Sequence, residues 1–153
     1  MKMVIQRVSR AEVRVEGEAI GRIGTGLAVL VGLERGDGDQ QLERAARRLA
    51  TLRVFSDEEG RMNRGLDEVG GAVLAVSQFT LAASTRRGRR PSYSRAAPPE
   101  EAAGLYEQFM LRLRERGLEV AGGVFQAMME VELVNDGPVT ILLEDPSPAR
   151  VSP

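Results

Sequence analysis

Alternation of apolar and polar positions marks both ends of this chain, and a helical period marks two stretches between them. Residues 3–8 alternate, with Val4 and Val8 flanking Gln6, and predict a strand on which Gln6 and Arg7 are the polar positions. Residues 12–15 and 19–23 predict a hairpin about Glu16-Gly17-Glu18, with Val13 and Val15 on one face. Residues 27–31 are apolar throughout, the pattern of a central strand covered on both sides. Residues 54–55 predict a short strand, followed by a turn at residues 56–60 and by Met62-Asn63. Residues 72–76 are again apolar throughout and end in polar residues. Residues 128–134 alternate, and beyond a turn at Asn135-Asp136-Gly137-Pro138 the alternation resumes with Val139, Ile141 and Leu143.

In residues 40–52, Leu42, Ala45, Ala46 and Leu49 recur at i, i+3, i+4 and i+7, with Glu43, Arg44, Arg47 and Arg48 on the solvated face. Asp37 and Asp39 in the preceding loop are candidate caps for this helix. Pro98-Pro99 start a second helix, Glu100 and Glu101 suit its positive end, and Ala102, Leu105, Phe109 and Leu113 form its stripe. Gly117 is its stop, and residues 122–125 read as a loop. Two helices among eight or so strands predict a single sheet-rich α/β domain over residues 1–144. The tail, residues 145–153, holds three of the seven prolines and is expected to fray.

Composition adds exclusions. Lys plus Arg number 21 against 22 for Asp plus Glu, so no global field draws the chain to nucleic acid or membrane. There is no cysteine, which removes disulfides, thiolate chemistry and cysteine-based zinc sites. Histidine is also absent, so a Ser-His-Asp triad, a histidine base and histidine ligation are impossible within the chain. Catalysis would fall to carboxylates, lysine, hydroxyls, backbone amides or the substrate itself. No apolar run is long enough for a signal peptide or a bilayer span, so the expected location is cytoplasmic, without membrane attachment.

The chemistry concentrates in two motifs. In Ser77-Gln78-Phe79-Thr80-Leu81, uncharged polar side chains terminate an apolar strand, where they are either caps or the lining of a pocket. In a pocket, the backbone N–H groups near Phe79 and Thr80 could face a developing oxyanion. Thr80 is a poor nucleophile, because only a carboxylate or the sole lysine, Lys2 at the terminus, could activate it. The second motif, Asn135-Asp136-Gly137-Pro138-Val139-Thr140, reads locally as a turn; Gly137 lets another group approach the backbone, and a cis bond before Pro138 would turn both carbonyls outward. Arg86, Arg87, Arg89, Arg90 and Arg95, with Tyr93 among them, suit a phosphate backbone or a solvated loop. Asp57, Glu58 and Glu59 lack spaced partner ligands and read as a solvated turn, so neither metal nor cofactor is expected.

Taken together with Ile5-Gln6-Arg7-Val8, Phe55-Ser56-Asp57, Gly60-Arg61-Met62-Asn63 and Arg90-Pro91-Ser92-Tyr93-Ser94, these motifs make the chain resemble the D-aminoacyl-tRNA deacylase family from residue 1 to about residue 144. The resemblance implies a homodimeric α/β fold, layered α/β/β, that hydrolyses the ester between a D-amino acid, or glycine carried on tRNA-Ala, and the tRNA 3′ end. It implies that Ser77, Gln78, Phe79 and Thr80 form one wall of the catalytic site. Gly137 and Pro138 of the other subunit, joined by a cis bond, would exclude L side chains, and Arg7 would fix that loop. Phe125 and Met129 match positions near the terminal adenosine, and the substrate's 2′-hydroxyl would assist the attacking water. A non-catalytic nucleic-acid-binding module on the same fold is the alternative.

Overall fold

The computed structural model describes residues 1–86 and 88–146. One sheet is built from β1 (Lys2–Val15), β2 (Glu18–Ile23), β3 (Gly26–Gly32), β6 (Ala72–Ser77), β7 (Glu119–Gly122) and β8 (Glu130–Glu144); β4 (Phe55–Ser56) and β5 (Met62–Arg64) form a separate hairpin. The sheet order is β2-β1-β3-β6-β7, with β8 on the other edge of β1. β6 is parallel to β3 and to β7, and the other pairings are antiparallel. Helices α1 (Asp39–Ala50) and α2 (Pro99–Glu115) supply the crossovers that parallel neighbours require.

The all-apolar strands owe their composition to cores on both faces. Along β6, Val73 and Ala75 join the larger core with Leu42, Leu49, Phe109 and Leu113 of the helices, while Ala72, Leu74 and Val76 join a second core with Val8, Val13 and Ile23. Along β3, Leu27, Val29 and Val31 face the helices and Ala28 faces the second core. Period-two alternation therefore divides each strand between two apolar environments.

The second core is enclosed because the sheet curls into a nearly closed barrel. A Cβ placed on Gly21 of β2 would stand 2.7 Å from the Gly122 carbonyl oxygen of β7. The single sheet-rich α/β domain with two helices is as expected, but its sheet is barrel-like and mixed. β1 is one continuous strand across the two expected segments, bending at an irregularity at Val13/Arg14. Its turn into β2 uses positive φ at Glu16 (51°) and Gly17 (83°), as a two-residue hairpin demands. β7 was not legible, because Glu119-Val120-Ala121-Gly122 is too short and too rich in small residues to set up a period.

Other local expectations shift in instructive ways. The α1 N-cap is Gly38, and the Gln41 side chain accepts the Gly38 N–H at 3.1 Å. Asp37 is turned away to accept the Glu34 N–H (2.8 Å) and the buried Met1 ammonium (2.7 Å), a stronger partner than a helix end. α2 begins at Pro99 with Glu100 and Glu101 in its first turn, and Gly117 at φ 80° closes it with its N–H donated to the Arg114 carbonyl. Asp145, placed in the expected fraying tail, is fastened instead: its carboxylate takes both Arg44 Nε and Nη2, at 2.8 and 3.0 Å. Residues 147–153 of that tail lie outside the described residues.

Candidate active site

Strand β6 delivers the first motif. Ser77 pairs in register with Val31 of β3, and the Gln78 N–H still reaches the Val31 carbonyl at 2.8 Å. The chain then tightens into a 3₁₀ turn, Phe79–Ala82, whose bonding begins with the Leu81 N–H donated to the Gln78 carbonyl (3.2 Å). The Phe79 and Thr80 N–H groups precede that first bond, as the leading donors of any helical turn do. Gly32 allows this turn to settle on the end of β3: a Cβ there would meet Leu81 Cβ at 2.7 Å and the Gln78 carbonyl oxygen at 3.2 Å. The Gln78 amide donates to the Thr80 hydroxyl, so the two polar side chains hold each other.

Ser77, Gln78 and Phe79 line a cleft of about 710 Å³ together with Phe125, Met129, Tyr93, Arg35 and Val131. Thr80 is half-buried, is not part of that lining, and is joined to it by the bond from Gln78. Phe79 is 55% exposed although apolar, and Tyr93 lies edge-on to it with ring centroids 5.0 Å apart. The opposite wall comes from the loop after β7, where Gln126 adopts φ 64°, rare for a residue with a side chain. Phe125 in that loop rests against Tyr106 of α2, at 6.3 Å between ring centroids. Tyr106 donates its hydroxyl proton to the Ala75 carbonyl at 2.7 Å, and burial pushes its pKa above the ordinary tyrosine value. Strand end and loop are thus tied through one buried phenol.

The second motif lies elsewhere. β8 does not stop at Asn135 as the turn reading expects; it stays paired to β1 on both sides of an excursion. Gln6 pairs with Thr140 and Val8 with Asn135, so Asp136, Gly137, Pro138 and Val139 all stand opposite Arg7. The Arg7 side chain fills the gap, donating from Nε to the Asp136 carbonyl (2.8 Å) and from Nη1 to the Val54 carbonyl (2.5 Å). Asn135 closes the base like a peptide unit, its Oδ1 accepting the Val139 N–H (2.7 Å) and its Nδ2 donating to the Val139 carbonyl (3.2 Å). The Gly137–Pro138 bond is cis, and Gly137 has φ 142°. A Cβ on Gly137 would meet Val139 Cγ2 at 2.7 Å and Arg7 Nη2 at 3.0 Å. Both Gly137 and Pro138 are exposed.

The expected site residues therefore fall into two groups. Ser77, Gln78, Phe79, Phe125 and Met129 meet in the cleft; Arg7, Gly137 and Pro138 form a projecting edge outside its lining. Tyr93 and Arg35 join the cleft without having been singled out as site residues. The role of Asn135 as a backbone clamp was also missed, although a side-chain amide bonding its own strand is a known signature of an interrupted ladder. Asp57 accepts the Glu59 and Arg61 N–H groups, both at 2.9 Å, and these bonds lower its pKa; its role is to shape the β4–β5 turn.

Comparison with known proteins places the chain in a family. The family model described as D-Tyr-tRNA(Tyr) deacylase matches residues 4–144. The chain is 59% identical to the D-aminoacyl-tRNA deacylase of Anaeromyxobacter dehalogenans, over 94% of this chain and 97% of that one. It is 58% identical to that of Symbiobacterium thermophilum, over 94% and 95%. A solved structure described as c-Myc DNA Unwinding Element Binding Protein superposes with a TM-score of 0.90 at 42% identity, covering 96% of this chain and all of that one. A probable eukaryotic D-amino acid tRNA deacylase shares the fold, with a TM-score of 0.78 at 19% identity over 93% of this chain and 97% of that one. These likenesses define the class as ester hydrolases. Within it, the chain belongs to the D-aminoacyl-tRNA deacylase family.

Proposed function

We propose that this protein hydrolyses the ester of D-aminoacyl-tRNA, and of glycyl-tRNA charged on tRNA-Ala, and that it rejects L-aminoacyl esters. The observation that carries the reading is the split of the two motifs into a concave wall and a convex edge, each rigidly held. A wall and an edge that do not meet within one chain fit a homodimer in which each cleft receives the partner's Gly137 and Pro138. β8 supports that reading: among the described residues it pairs only with β1, and it carries Leu142 at 71% exposure.

In such a site the ester carbonyl lies against the 3₁₀ turn, where the Phe79 and Thr80 N–H groups meet the developing oxyanion. Ser77 and the paired Gln78 and Thr80 orient the ester, and Phe125 and Met129 pack on the terminal adenosine. The 2′-hydroxyl beside the ester assists the attacking water, so the enzyme supplies position and electrostatics rather than a nucleophile. The Gly137 and Pro138 carbonyls receive the substrate's amino group, and the backbone beside them leaves an L side chain no room. Arg7 and Asn135 hold that edge in place. A cytoplasmic location follows from the substrate; among the described residues, no helix is long and apolar enough to cross a membrane.

The decisive experiment is deacylation of D-tyrosyl-tRNA against L-tyrosyl-tRNA by purified protein with chelator present. Rapid loss of the D ester alone is expected. Loss of both esters would remove the exclusion argument while leaving the hydrolase. The relative described as a DNA unwinding element binding protein favours a second reading, a nucleic-acid-binding module, which tight tRNA binding without ester turnover would establish.

A further inference from the structure

We propose that the rim of the cleft is a track for single-stranded RNA: Phe79 and Tyr93 stack the unpaired nucleotides that precede the terminal adenosine, and Arg86, Arg89 and Arg90 take their phosphates. This rests on the deacylase reading for the identity of the RNA. The two exposed rings meet edge to face at 62° and border the cleft, so each leaves a face open to an incoming base. From Gln78 to Pro99 the sequence contains no Asp or Glu, so no carboxylate within this segment offsets its positive charge. Many surface arginines elsewhere sit against carboxylates, as in Arg10 with Glu132, Arg64 with Glu58 and Arg116 with Glu43, whereas Arg47 and Arg48 on α1 are exposed outside any ion pair among the described residues. Arg86, Arg89 and Arg90 are exposed and, among the described residues, make no hydrogen bond or ion pair.

The segment is also set in place before any ligand arrives. Ser84 and Ser92 bridge it with two backbone bonds of 2.8 and 2.9 Å, which leaves the three arginines on the tip and Tyr93 next to the closing residue. Below the bridge, Arg35 Nε donates to the Ser94 carbonyl at 3.0 Å and the Arg35 N–H to the Arg95 carbonyl at 2.9 Å. Arg95 reaches the buried Glu34 at 3.2 Å. The arginines of the base are structural and those of the tip are available. An extended chain places Arg90 within about 10 Å of Tyr93, so stacking and phosphate contacts fall on the same few nucleotides.

Three measurements test this: steady-state kinetics on D-tyrosyl-tRNA, kinetics on 3′-D-tyrosyl-adenosine, and binding of uncharged tRNA by fluorescence anisotropy across a salt series. The variant Arg86→Ala/Arg89→Ala/Arg90→Ala should raise KM for the tRNA ester by roughly 10-fold or more and flatten the log Kd against log salt slope by about 2. Its turnover of the adenosine ester should change less than about twofold. Tyr93→Ala should weaken uncharged tRNA binding roughly 10-fold and Tyr93→Phe should restore it, since stacking needs only the ring. Equal losses on both esters, an unchanged salt slope, or failure of Tyr93→Phe to restore binding would overturn the track. If the parent protein hydrolyses neither ester, the deacylase reading fails, and the anisotropy series still decides whether the rim binds RNA.

Discussion

The two motifs of the molecule solve opposite problems. Ser77, Gln78 and Thr80 end a strand buried on both faces, and their positions are inherited from two cores and from the in-register pairing of Ser77 with Val31. Gly137 and Pro138 lie exposed on an edge strand, and their positions depend on two side chains, Arg7 and Asn135, which bond the backbone around them. The first region can tolerate the loss of one polar side chain because packing fixes its backbone. The second cannot, because side-chain hydrogen bonds stand where ladder bonds would otherwise be.

Substitutions can break or sharpen that contrast. The largest effect is expected from Gly137→Ala, where a Cβ would collide with Val139 and Arg7 at a φ that L residues rarely adopt. Turnover of D-tyrosyl-tRNA should fall about 100-fold and the melting temperature should drop with it; wild-type kinetics would break the contrast. Arg7→Ala comes next, leaving the Asp136 and Val54 carbonyls without their donor. It should cost about 1–3 kcal/mol in denaturant unfolding and reduce kcat/KM by roughly 10-fold or more, with Arg7→Lys recovering little because one ammonium cannot span both carbonyls.

Thr80→Ala should matter less, a decrease of roughly 10-fold in single-turnover rate, since it removes only the partner of the Gln78 amide. A fall to the uncatalysed rate would show that Thr80 is chemically essential. The smallest effect belongs to Asp57→Ala. The folded Asp57 carboxyl titrates below its ordinary value because the Arg61 N–H, first, and the Glu59 N–H bond its charged form. A lowered folded pKa stabilises above the ordinary carboxylate value, and the contribution is lost as pH falls through the folded value. The variant should therefore melt slightly below the parent at neutral pH, and the gap should close in acid, with deacylation unaffected throughout.

Much of this contrast was legible from sequence, but unequally. The all-apolar strands at Leu27 and Val73 and the stripe of Leu42, Ala45, Ala46 and Leu49 report burial directly, because period and composition are local properties. The cleft wall was legible only in part: polar residues at the end of such a strand are caps or a pocket lining, and the resemblance to the family, not the local pattern, chose the lining. The edge was misread locally as a turn between two strands. Its continuity depends on pairing with β1, far away in the chain, and no pattern within residues 134–140 encodes it. β7 and the barrel closure were illegible for the same reason: Gly122 means little until Gly21 stands opposite. The resemblance to the family supplied the role expected of the edge, which the local pattern could not.

The facing glycines Gly21 and Gly122 have a further consequence. Gly122 continues through Gly123 into the loop that bears Phe125 and Met129, so the seam of the barrel acts as a calliper for the cleft. Its jaws are set by the thickness of two bare backbones. An alanine at Gly21 has only 2.7 Å from its Cβ to the Gly122 carbonyl oxygen, so β2 or β7 must shift, and a shift of β7 carries the Phe125 wall with it. The aperture of this enzyme can therefore be retuned from the far side of the barrel, by a methyl group that never touches the substrate.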